Sequence, residues 1–460
     1  MKNNIMTLTD SYKLTHWNMY PKGTQRVYSY FEARQGALYN KTVFFGLQYL
    51  IKEHLLGRVV TKELIEEAAK LTKAHIGNEA AFNREMWEYI EKEYDGKLPI
   101  RIRAVPEGTP VPVNNVLMTV ENTDDKCFAL TNHLETLLSH VWAPSTVATL
   151  SYEVKKLIKY YLELTADNLN MLPFGLHDFG FRGVNQVEAA GIAGAGHLIN
   201  FLGTDTIKAM ETAMEYYGAD LNGLAYSVPA TEHSIMTSLG EAGEKKLLKQ
   251  LLDAYPTGIL SIVIDSYDYR RFIEIAGTEF KDQILNRNGK VVFRPDSGEP
   301  TSTTLDVLNL LGKYFGTMKN TKGYLNLNPK VGMLWGDGID YQGIRSILFS
   351  MRNNDWSTDN IVFGMGGGLL QKINRDTQRF AFKSSAQKRD GEWFDIFKRP
   401  LDTSKASKKG RLQLIRDANK EWKTVQENIL EYDQLVTVYD NGVLTKEYTF
   451  DEVRKNSNIE

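Results

Sequence analysis

The chain has 460 residues, of which 42% are apolar, enough for a large buried core and for two or three domains. Its 55 basic and 57 acidic residues give a net charge of -2, which argues against a general nucleic-acid or membrane-surface binder. The single cysteine, Cys127, excludes an intrachain disulfide and a cysteine-based metal site, and we interpret it as a small buried hydrophobic residue.

The first 17 residues lack the apolar core of a signal peptide. No apolar run approaches the roughly 20 residues that a transmembrane helix needs. One lone thiol also fits a reducing compartment, so we expect a cytoplasmic protein.

The first predicted elements are helices over residues 59–95, with Thr61 as the N-cap of a helix at 62–73. Residues 99–105 then alternate like a strand, a turn follows at 106–108, and residues 111–120 form a second predicted strand. We therefore expect residues 1–145 to form an α+β region that includes a β-rich unit.

Short apolar strands alternate with helices from about residue 145, which predicts parallel βα units and, at this length, a barrel over residues 146–377. The predicted strands are 175–179, 257–264, 291–293, 330–334 and 361–363. The predicted helices are 146–164, 185–202, 232–254 and 303–314. Residues 378–460 are again strand-like, with a hairpin signal at 440–442, and we expect them to pack with the N-terminal region.

Polar, glycine-rich loops follow five of the predicted strands, where α/β barrels carry their catalytic groups. These loops are 177–183 (HDFGFRG), 265–268 (DSYD), 294–298 (RPDSG), 336–340 (GDGID) and 364–368 (GMGGG). Each loop alone is weak evidence, but all five on one face of a barrel indicate a binding site.

The loops carry groups suited to a phosphorylated sugar. Arg182 and Arg294 offer paired donors for phosphate, although an arginine after a strand is often a structural ion pair. Free backbone N–H groups at 364–368 suit an anion. Carboxylates that would bind sugar hydroxyls or Mg²⁺ are Asp265, Asp268, Asp296 and Asp337. Helix capping is the alternative for Asp268 and Asp296.

Two further features allow more than one interpretation. His233 stands where a helix begins, and the preceding Glu232 would orient its ring for a role as base or phosphate-accepting nucleophile. A surface or capping histidine is the ordinary alternative. The basic segment 398–411 fits a solvated loop, a nuclear signal or a phosphate-binding lid.

At these residues the chain resembles the nicotinamide phosphoribosyltransferase family of type II phosphoribosyltransferases, from about residue 9 to residue 459. The matching runs are 9–13 (TDSYK), 27–32 (VYSYFE), 45–49 (FGLQY), 176–180 (LHDFG), 182–184 (RGV), 201–206 (FLGTDT), 226–230 (YSVPA), 232–234 (EHS), 265–268, 294–298, 336–338, 366–372 (GGGLLQK) and 407–412 (SKKGRL). The resemblance implies an irregular (β/α) barrel with an additional β-rich domain built from N- and C-terminal segments.

The resemblance implies roles for the residues that would hold the base. Phe179 would stack on one face of nicotinamide, and Tyr12 of a second subunit on the other. Asp205 would accept a hydrogen bond from the amide and repel the carboxylate of nicotinic acid. His177, in the same loop as Phe179, and Asp10, beside Tyr12, are expected near the site.

It also implies a phosphoribosyl pyrophosphate site. Arg182, Arg294, Asp268 and Asp296 would bind the phosphoribosyl and pyrophosphate groups. Loops that would hold the 5′-phosphate and ribose carry Gly336, Asp337, Gly366 and Gly367. Basic residues that a second subunit would direct at the phosphates are Arg375, Lys383, Lys398 and Lys405.

The resemblance further implies that ATP phosphorylates His233, beside Glu232, that Mg²⁺ is held mainly by pyrophosphate, and that the protein is a homodimer with shared sites. Ile264 and Ala381 stand where vertebrate members have serines. A nicotinate phosphoribosyltransferase, or a binding protein that keeps the fold without turnover, remains the alternative.

Overall fold

The structure, a computed structural model, describes residues 4–398, 406–427 and 432–459. The chain forms two compact units. The first comprises Met1–Thr149, Ala213–Ala219 and Asn374–Asn458, and the second comprises Leu150–Thr212, Asp220–Ile373 and Ile459–Glu460.

The strands, numbered along the chain, are β1 (Thr24–Ala33), β2 (Lys41–Val43), β3 (Ile100–Ala104), β4 (Pro110–Pro112), β5 (Val116–Asn122), β6 (Leu176–Asp178), β7 (Gly203–Thr204), β8 (Thr257–Val263), β9 (Asn288–Arg294), β10 (Thr317–Lys319), β11 (Leu325–Leu327), β12 (Val331–Trp335), β13 (Ile361–Met365), β14 (Phe380–Arg389), β15 (Glu392–Asp395), β16 (Leu412–Arg416), β17 (Trp422–Gln426), β18 (Val436–Asp440) and β19 (Val443–Leu444).

The α-helices are α1 (Leu47–His54), α2 (Lys62–Ile76), α3 (Arg84–Glu93), α4 (Leu130–His133), α5 (Glu135–Ser139), α6 (Trp142–Thr165), α7 (Val187–Leu198), α8 (Ile207–Tyr217), α9 (His233–Met236), α10 (Gly240–Ala254), α11 (Tyr269–Thr278), α12 (Lys281–Leu285), α13 (Pro300–Phe315), α14 (Tyr341–Asn353), α15 (Gly367–Leu370) and α16 (Phe450–Asn456). Short 3₁₀ helices span Ser11–Asn18, Glu79–Ala81, Asp125–Cys127, Leu172–Phe174, Phe181–Gly183 and Thr358–Asn360.

The first unit is built on an antiparallel sheet of seven strands in the order β15-β14-β1-β5-β3-β18-β19. Strand β1 lies between β14 and β5 and is buried along most of its length. The sheet thus joins strands from both ends of the chain, and the predicted β-rich domain of N- and C-terminal segments is confirmed.

The second unit contains a parallel sheet in the order β7-β6-β13-β12-β9-β8. An extended segment, residues 226–230, links its two edge strands. Tyr226 forms a parallel bridge with Gly203 of β7, and Ala230 forms one with Ser261 of β8. The backbone N–H of Thr204 donates to Tyr226 (3.1 Å), and that of Ser261 donates to Pro229 (2.9 Å). The sheet is therefore connected into an irregular barrel, as expected.

Most predicted elements are confirmed within a few residues. The five predicted barrel strands correspond to β6, β8, β9, β12 and β13. The Thr61 side chain accepts from the Leu64 N–H at the start of α2, and the hairpin turn has positive φ at Asn441 and Gly442.

Two predicted boundaries are wrong. The single helix at 232–254 is two helices, α9 and α10, because the chain turns at Gly240 with φ of 66°. The strand at 111–120 is divided into β4 and β5 at Asn114, which has φ of 66°. Cys127 is buried, as expected. In the described ranges, no helix combines the length and apolar character needed to cross a membrane.

Candidate active site

The five polar loops leave the second unit at one edge of its parallel sheet. They follow β6, β8, β9, β12 and β13, and these strands are neighbours in the sheet. Since parallel strands end at the same edge, the loop side chains converge there. This arrangement gathers the carboxylates, arginines and glycines that the sequence singled out.

Phe179 directly follows β6 and lies against the glycine-rich loops. Its backbone N–H donates to the Met365 carbonyl (3.0 Å). A Cβ atom on Gly364 would lie 2.0 Å from the Phe179 ring, and one on Gly336 would lie 3.4 Å from it. A side chain at residue 364 would therefore overlap the Phe179 ring. A Cβ on Gly366 would lie 3.3 Å from the Phe179 carbonyl oxygen.

Asp205 follows β7 beside this ring-bearing loop. Its backbone N–H donates to the Asp178 carbonyl (2.9 Å), and one carboxylate oxygen accepts from the Ser227 hydroxyl (2.5 Å). The pKa of His177 is lowered because burial disfavours the imidazolium, while the Asp205 charge opposes that shift. A carboxylate acceptor and a neutral imidazole thus lie near one another.

Asp178, at the end of β6, is a buried carboxyl group directly before Phe179. Burial raises its pKa to about 6. Its Oδ1 atom accepts from the Gly180 N–H (2.7 Å), which fixes the turn that carries the Phe179 ring. Sequence reasoning did not single out this residue, although its place between His177 and Phe179 was visible.

His233 is the first residue of α9, and its side chain is 48% exposed. Its Nε2 lies 3.4 Å from Oδ1 of Asp265, and its Nδ1 lies 3.9 Å from Oδ2 of Asp296. Glu232, which we expected to orient the ring, instead accepts a hydrogen bond from Ser234. The ring is therefore flanked by Asp265 and Asp296, two carboxylates from different loops.

Arg294 ends β9, and its guanidinium donates to the Thr231 carbonyl (2.7 Å). Its Nε is buried without a hydrogen-bond partner, so the side chain is anchored and keeps a donor. Arg182 is exposed on the 3₁₀ helix Phe181–Gly183, which lies near Gly367. Arg182 is therefore accessible to an anion, whereas the Nε of Arg294 is enclosed.

Three carboxylates, Asp265, Asp296 and Asp337, follow neighbouring strands at this edge. The pKa of Asp337 is raised by burial, and the charges of Asp296 and Asp265 add to that shift. In the ranges described, no three His, Cys, Asp or Glu side chains form a metal cage by themselves. A divalent ion at this edge would therefore need further ligands.

Asp268 caps a helix, which is the alternative that the sequence analysis gave for it. It is the N-cap of α11, and its carboxylate accepts from the N–H of Arg270 (2.9 Å). Asp296 caps no helix, because Glu299 caps α13. Helix capping therefore accounts for Asp268 and leaves Asp296 free to face His233.

A cavity of about 390 Å³ lies inside the second unit. His177, Tyr226 and Ser227 border it, and Lys290 and Asp359 lie among its other lining residues. Most of the remaining lining is apolar. Ile264, one of the departures from vertebrate members, is fully buried after β8.

The first unit carries the remaining candidates. Tyr12 is 59% exposed on the 3₁₀ helix Ser11–Asn18. That helix is held in place by Lys13, which donates to Glu135 (2.5 Å), and by Asp10, which accepts from Thr136 (2.7 Å). An aromatic ring is thus presented to solvent by a well-anchored segment.

A second cavity, of about 590 Å³, lies in the first unit and is rich in basic groups. Its cationic lining residues are Arg34, Arg379 and Lys408. Lys408 belongs to the basic segment 398–411, whereas Arg34 and Arg379 were not identified from the sequence. Lys383 lies 3.8 Å from Glu32 in the cavity wall, and burial lowers the pKa of Lys383. Arg34 lies two residues after the matching run 27–32, which was the nearest signal for it in the sequence.

Two other predicted basic residues lie on the surface of the first unit. Arg375 and Lys398 are exposed, and the backbone N–H of Lys398 donates to Ser407 (2.9 Å). Ala381, the second departure, is half-buried on β14. Lys405 lies outside the described residues.

Comparison with known proteins gives a consistent result. The sequence model of the nicotinate phosphoribosyltransferase (NAPRTase) family matches residues 174–443, and that of the nicotinamide phosphoribosyltransferase N-terminal domain matches residues 4–102. A relative named nicotinamide phosphoribosyltransferase, from Xanthomonas campestris pv. campestris, is 45% identical over 98% of this chain and 97% of its own.

A second relative of the same name, from Acinetobacter baylyi, is 34% identical over 98% of this chain and 96% of its own. The crystal structure of nicotinate-nucleotide pyrophosphorylase from Pyrococcus furiosus is 16% identical, with a TM-score of 0.57, and the alignment covers 100% of this chain and 98% of that one. At that identity the likeness shows the fold alone.

Proposed function

Because the chain belongs to the nicotinate phosphoribosyltransferase family and is a pentosyltransferase, we propose that it transfers phosphoribosyl to nicotinamide in NAD salvage. The donor is 5-phosphoribosyl 1-pyrophosphate, and the products are nicotinamide mononucleotide and pyrophosphate. Both named relatives support nicotinamide as the base.

The observation that carries the proposal is the pairing of Phe179 with Asp205 at the edge of the barrel. A ring held against glycine provides a flat surface for a pyridine. A carboxylate beside it accepts from an amide NH₂ and repels a second carboxylate. Together they favour nicotinamide over nicotinic acid.

The transfer is a displacement at the anomeric carbon. The bond from C1 to the pyrophosphate oxygen breaks, the electron pair leaves with pyrophosphate, and the pyridine nitrogen forms the new bond to C1. The ribosyl carbon acquires oxocarbenium character in between. Arg294 and Arg182 would hold the phosphates, which aligns C1 with the nitrogen and stabilises the departing charge.

Mg²⁺ would supply charge neutralisation at the pyrophosphate. The carboxylates that would face it are Asp265, Asp296 and Asp337. Burial raises the pKa of Asp337, and the charges of Asp296 and Asp265 add to that shift. They would act with the phosphate oxygens rather than alone.

ATP coupling is a second part of the proposal. A ring nitrogen of His233 would attack the γ-phosphate of ATP, forming an N–P bond as the P–O bond to ADP breaks. Asp265 and Asp296, on either side of the ring, would fix its orientation. Hydrolysis of the N–P bond would return the free imidazole and phosphate.

We also propose a homodimer whose sites are shared. The exposed Tyr12 on an anchored segment supports this, because an aromatic ring presented to solvent is suited to cover a partner's base site. The basic groups of the first unit, Arg34, Lys383 and Lys408, would then contact the phosphates.

The test is product formation by the purified protein with phosphoribosyl pyrophosphate, Mg²⁺ and either base, with and without ATP. We expect nicotinamide mononucleotide, more of it with ATP, and little product from nicotinic acid. Preferential use of nicotinic acid would reverse the assignment of the base. Turnover of neither base would favour a binding protein.

A further inference from the structure

Ser227 contacts the carboxylate that is proposed to select the base. Ser227 lies on segment 226–230, which connects the edges of the barrel, and its hydroxyl donates to Oδ1 of Asp205 at 2.5 Å. Tyr226 exchanges backbone hydrogen bonds with the β7 region on both sides: its N–H donates to Leu202 (2.7 Å), and its carbonyl accepts from Thr204. Serine and aspartate are thus neighbours in a fixed register.

The Asp205 backbone is fixed as well. Its N–H donates to the Asp178 carbonyl at the end of β6 (2.9 Å). With the main chain tied to β6 and Oδ1 tied to Ser227, the carboxylate has a defined rotation, and its second oxygen is left to accept another hydrogen bond. An exposed aspartate without such a partner would sample several rotamers.

We propose that Ser227 is a positioning residue that sets the preference for amide over acid by holding the Asp205 carboxylate in one orientation. This inference rests on the proposed function, in which nicotinamide is the base. The hydroxyl proton, already donated to Asp205, is not available to a nicotinic acid carboxylate.

The test compares Ser227→Ala with Ser227→Thr and with Ser346→Ala, a matched control that removes an exposed serine hydroxyl on α14. The measurements are kcat and KM for nicotinamide and for nicotinic acid. For Ser227→Ala we expect a fall of about tenfold in kcat/KM for nicotinamide, mostly in KM, because a charge-assisted hydrogen bond is lost.

We also expect the ratio of kcat/KM for nicotinamide to that for nicotinic acid to fall in Ser227→Ala, since the Asp205 carboxylate is no longer held in one orientation. Ser227→Thr keeps the hydroxyl and should restore the amide-to-acid ratio. A merely structural role would lower activity with both bases and leave the ratio unchanged.

The outcomes are separable. An unchanged amide-to-acid ratio in Ser227→Ala, with a wild type that uses nicotinamide, would overturn the role of Ser227 alone. A change of equal size in that ratio in Ser346→Ala would overturn it too. A wild-type protein that makes no nicotinamide mononucleotide would instead overturn the proposed function.

Discussion

The Nε2 atom of His233 lies 3.4 Å from Oδ1 of Asp265, and the Asp265 side chain is only 5% exposed. The other oxygen of Asp265 accepts from the backbone N–H of Asp296 (3.0 Å) and from the Ser297 hydroxyl. Asp265 thus links the loop after β9 to the first residue of α9. A carboxylate whose other oxygen accepts two hydrogen bonds is well suited to orient an imidazole.

This relationship predicts the effect of two substitutions on ATP coupling. His233→Ala should abolish ATP stimulation and leave some uncoupled transfer. Asp265→Asn should reduce the stimulated rate by about tenfold, because the amide orients the ring but does not stabilise an imidazolium. Initial rates with and without ATP measure both effects. His75→Ala, at an exposed histidine of α2, is the control, and full stimulation in His233→Ala would contradict the assignment.

Asp205 should control the choice of base. Replacing Asp205 by Asn keeps an acceptor but removes the charge that repels nicotinic acid. We expect the ratio of kcat/KM for nicotinamide to that for nicotinic acid to fall by about tenfold or more. Competition between the two bases at equal concentration measures this directly. An unchanged ratio would rule out the role given to Asp205.

Gly364 should be required for the position of the Phe179 ring. In Gly364→Ala the new methyl group would overlap the ring, because the Cβ would lie 2.0 Å from it, so the ring must move. We expect KM for nicotinamide to rise by about tenfold, with little change in KM for phosphoribosyl pyrophosphate.

A matched control for that change is Gly343→Ala, within α14, where the Cβ would meet the flexible Ile339 side chain at 3.2 Å. Alanine is favourable in a helix, so folding should be preserved. Equal effects of the two substitutions on nicotinamide KM would contradict the ring-holding role.

Asp178 should make stability depend on pH. Its pKa rises on folding from an ordinary value of 3.8 to about 6, because burial disfavours the carboxylate. The folded state therefore prefers the protonated group, and stability from this residue is present below pH 3.8 and lost as pH rises through about 6. Asp178→Asn removes the titration and keeps an acceptor for the Gly180 N–H.

We accordingly expect the stability of Asp178→Asn, relative to the wild type, to increase as the pH rises from acidic to mildly alkaline values. The gain is at most about 3 kcal/mol, from a shift of roughly two units at 1.36 kcal/mol each. Thermal unfolding of both proteins below pH 3.8 and above about pH 6 measures this gain in stability. A pH-independent difference for Asp178→Asn would contradict the buried-acid account.

Shared sites predict complementation between inactive subunits. Tyr12→Ala and Phe179→Ala should each lose most activity, because each removes one wall of the base site. In a random mixture half of the dimers are hybrids, and each hybrid has one intact site, so activity should recover to about a quarter of wild type. Subunit exchange followed by assay measures this. No recovery in proven hybrids would place Tyr12 and Phe179 in the same subunit's site.

The sequence alone determined the parallel strands and the chemistry of the loops that follow them. Hydrophobic runs separated by helical periods predicted β6, β8, β9, β12 and β13, because burial on both faces leaves a local signature. The same pattern predicted that the polar residues after each run, such as Arg294 and Asp337, lie at the ends of the strands. These features depend on neighbours in the chain.

Tertiary structure decided what depends on residues distant in sequence. Segment 226–230 has no strand period of its own and connects the barrel edges only because Gly203 and Ser261 offer backbone partners. Asp265, rather than the adjacent Glu232, flanks His233 because β8 and α9 bring them together. The Ser227 contact with Asp205 and the raised pKa of buried Asp178 have the same origin, since packing and not composition sets distance and solvation.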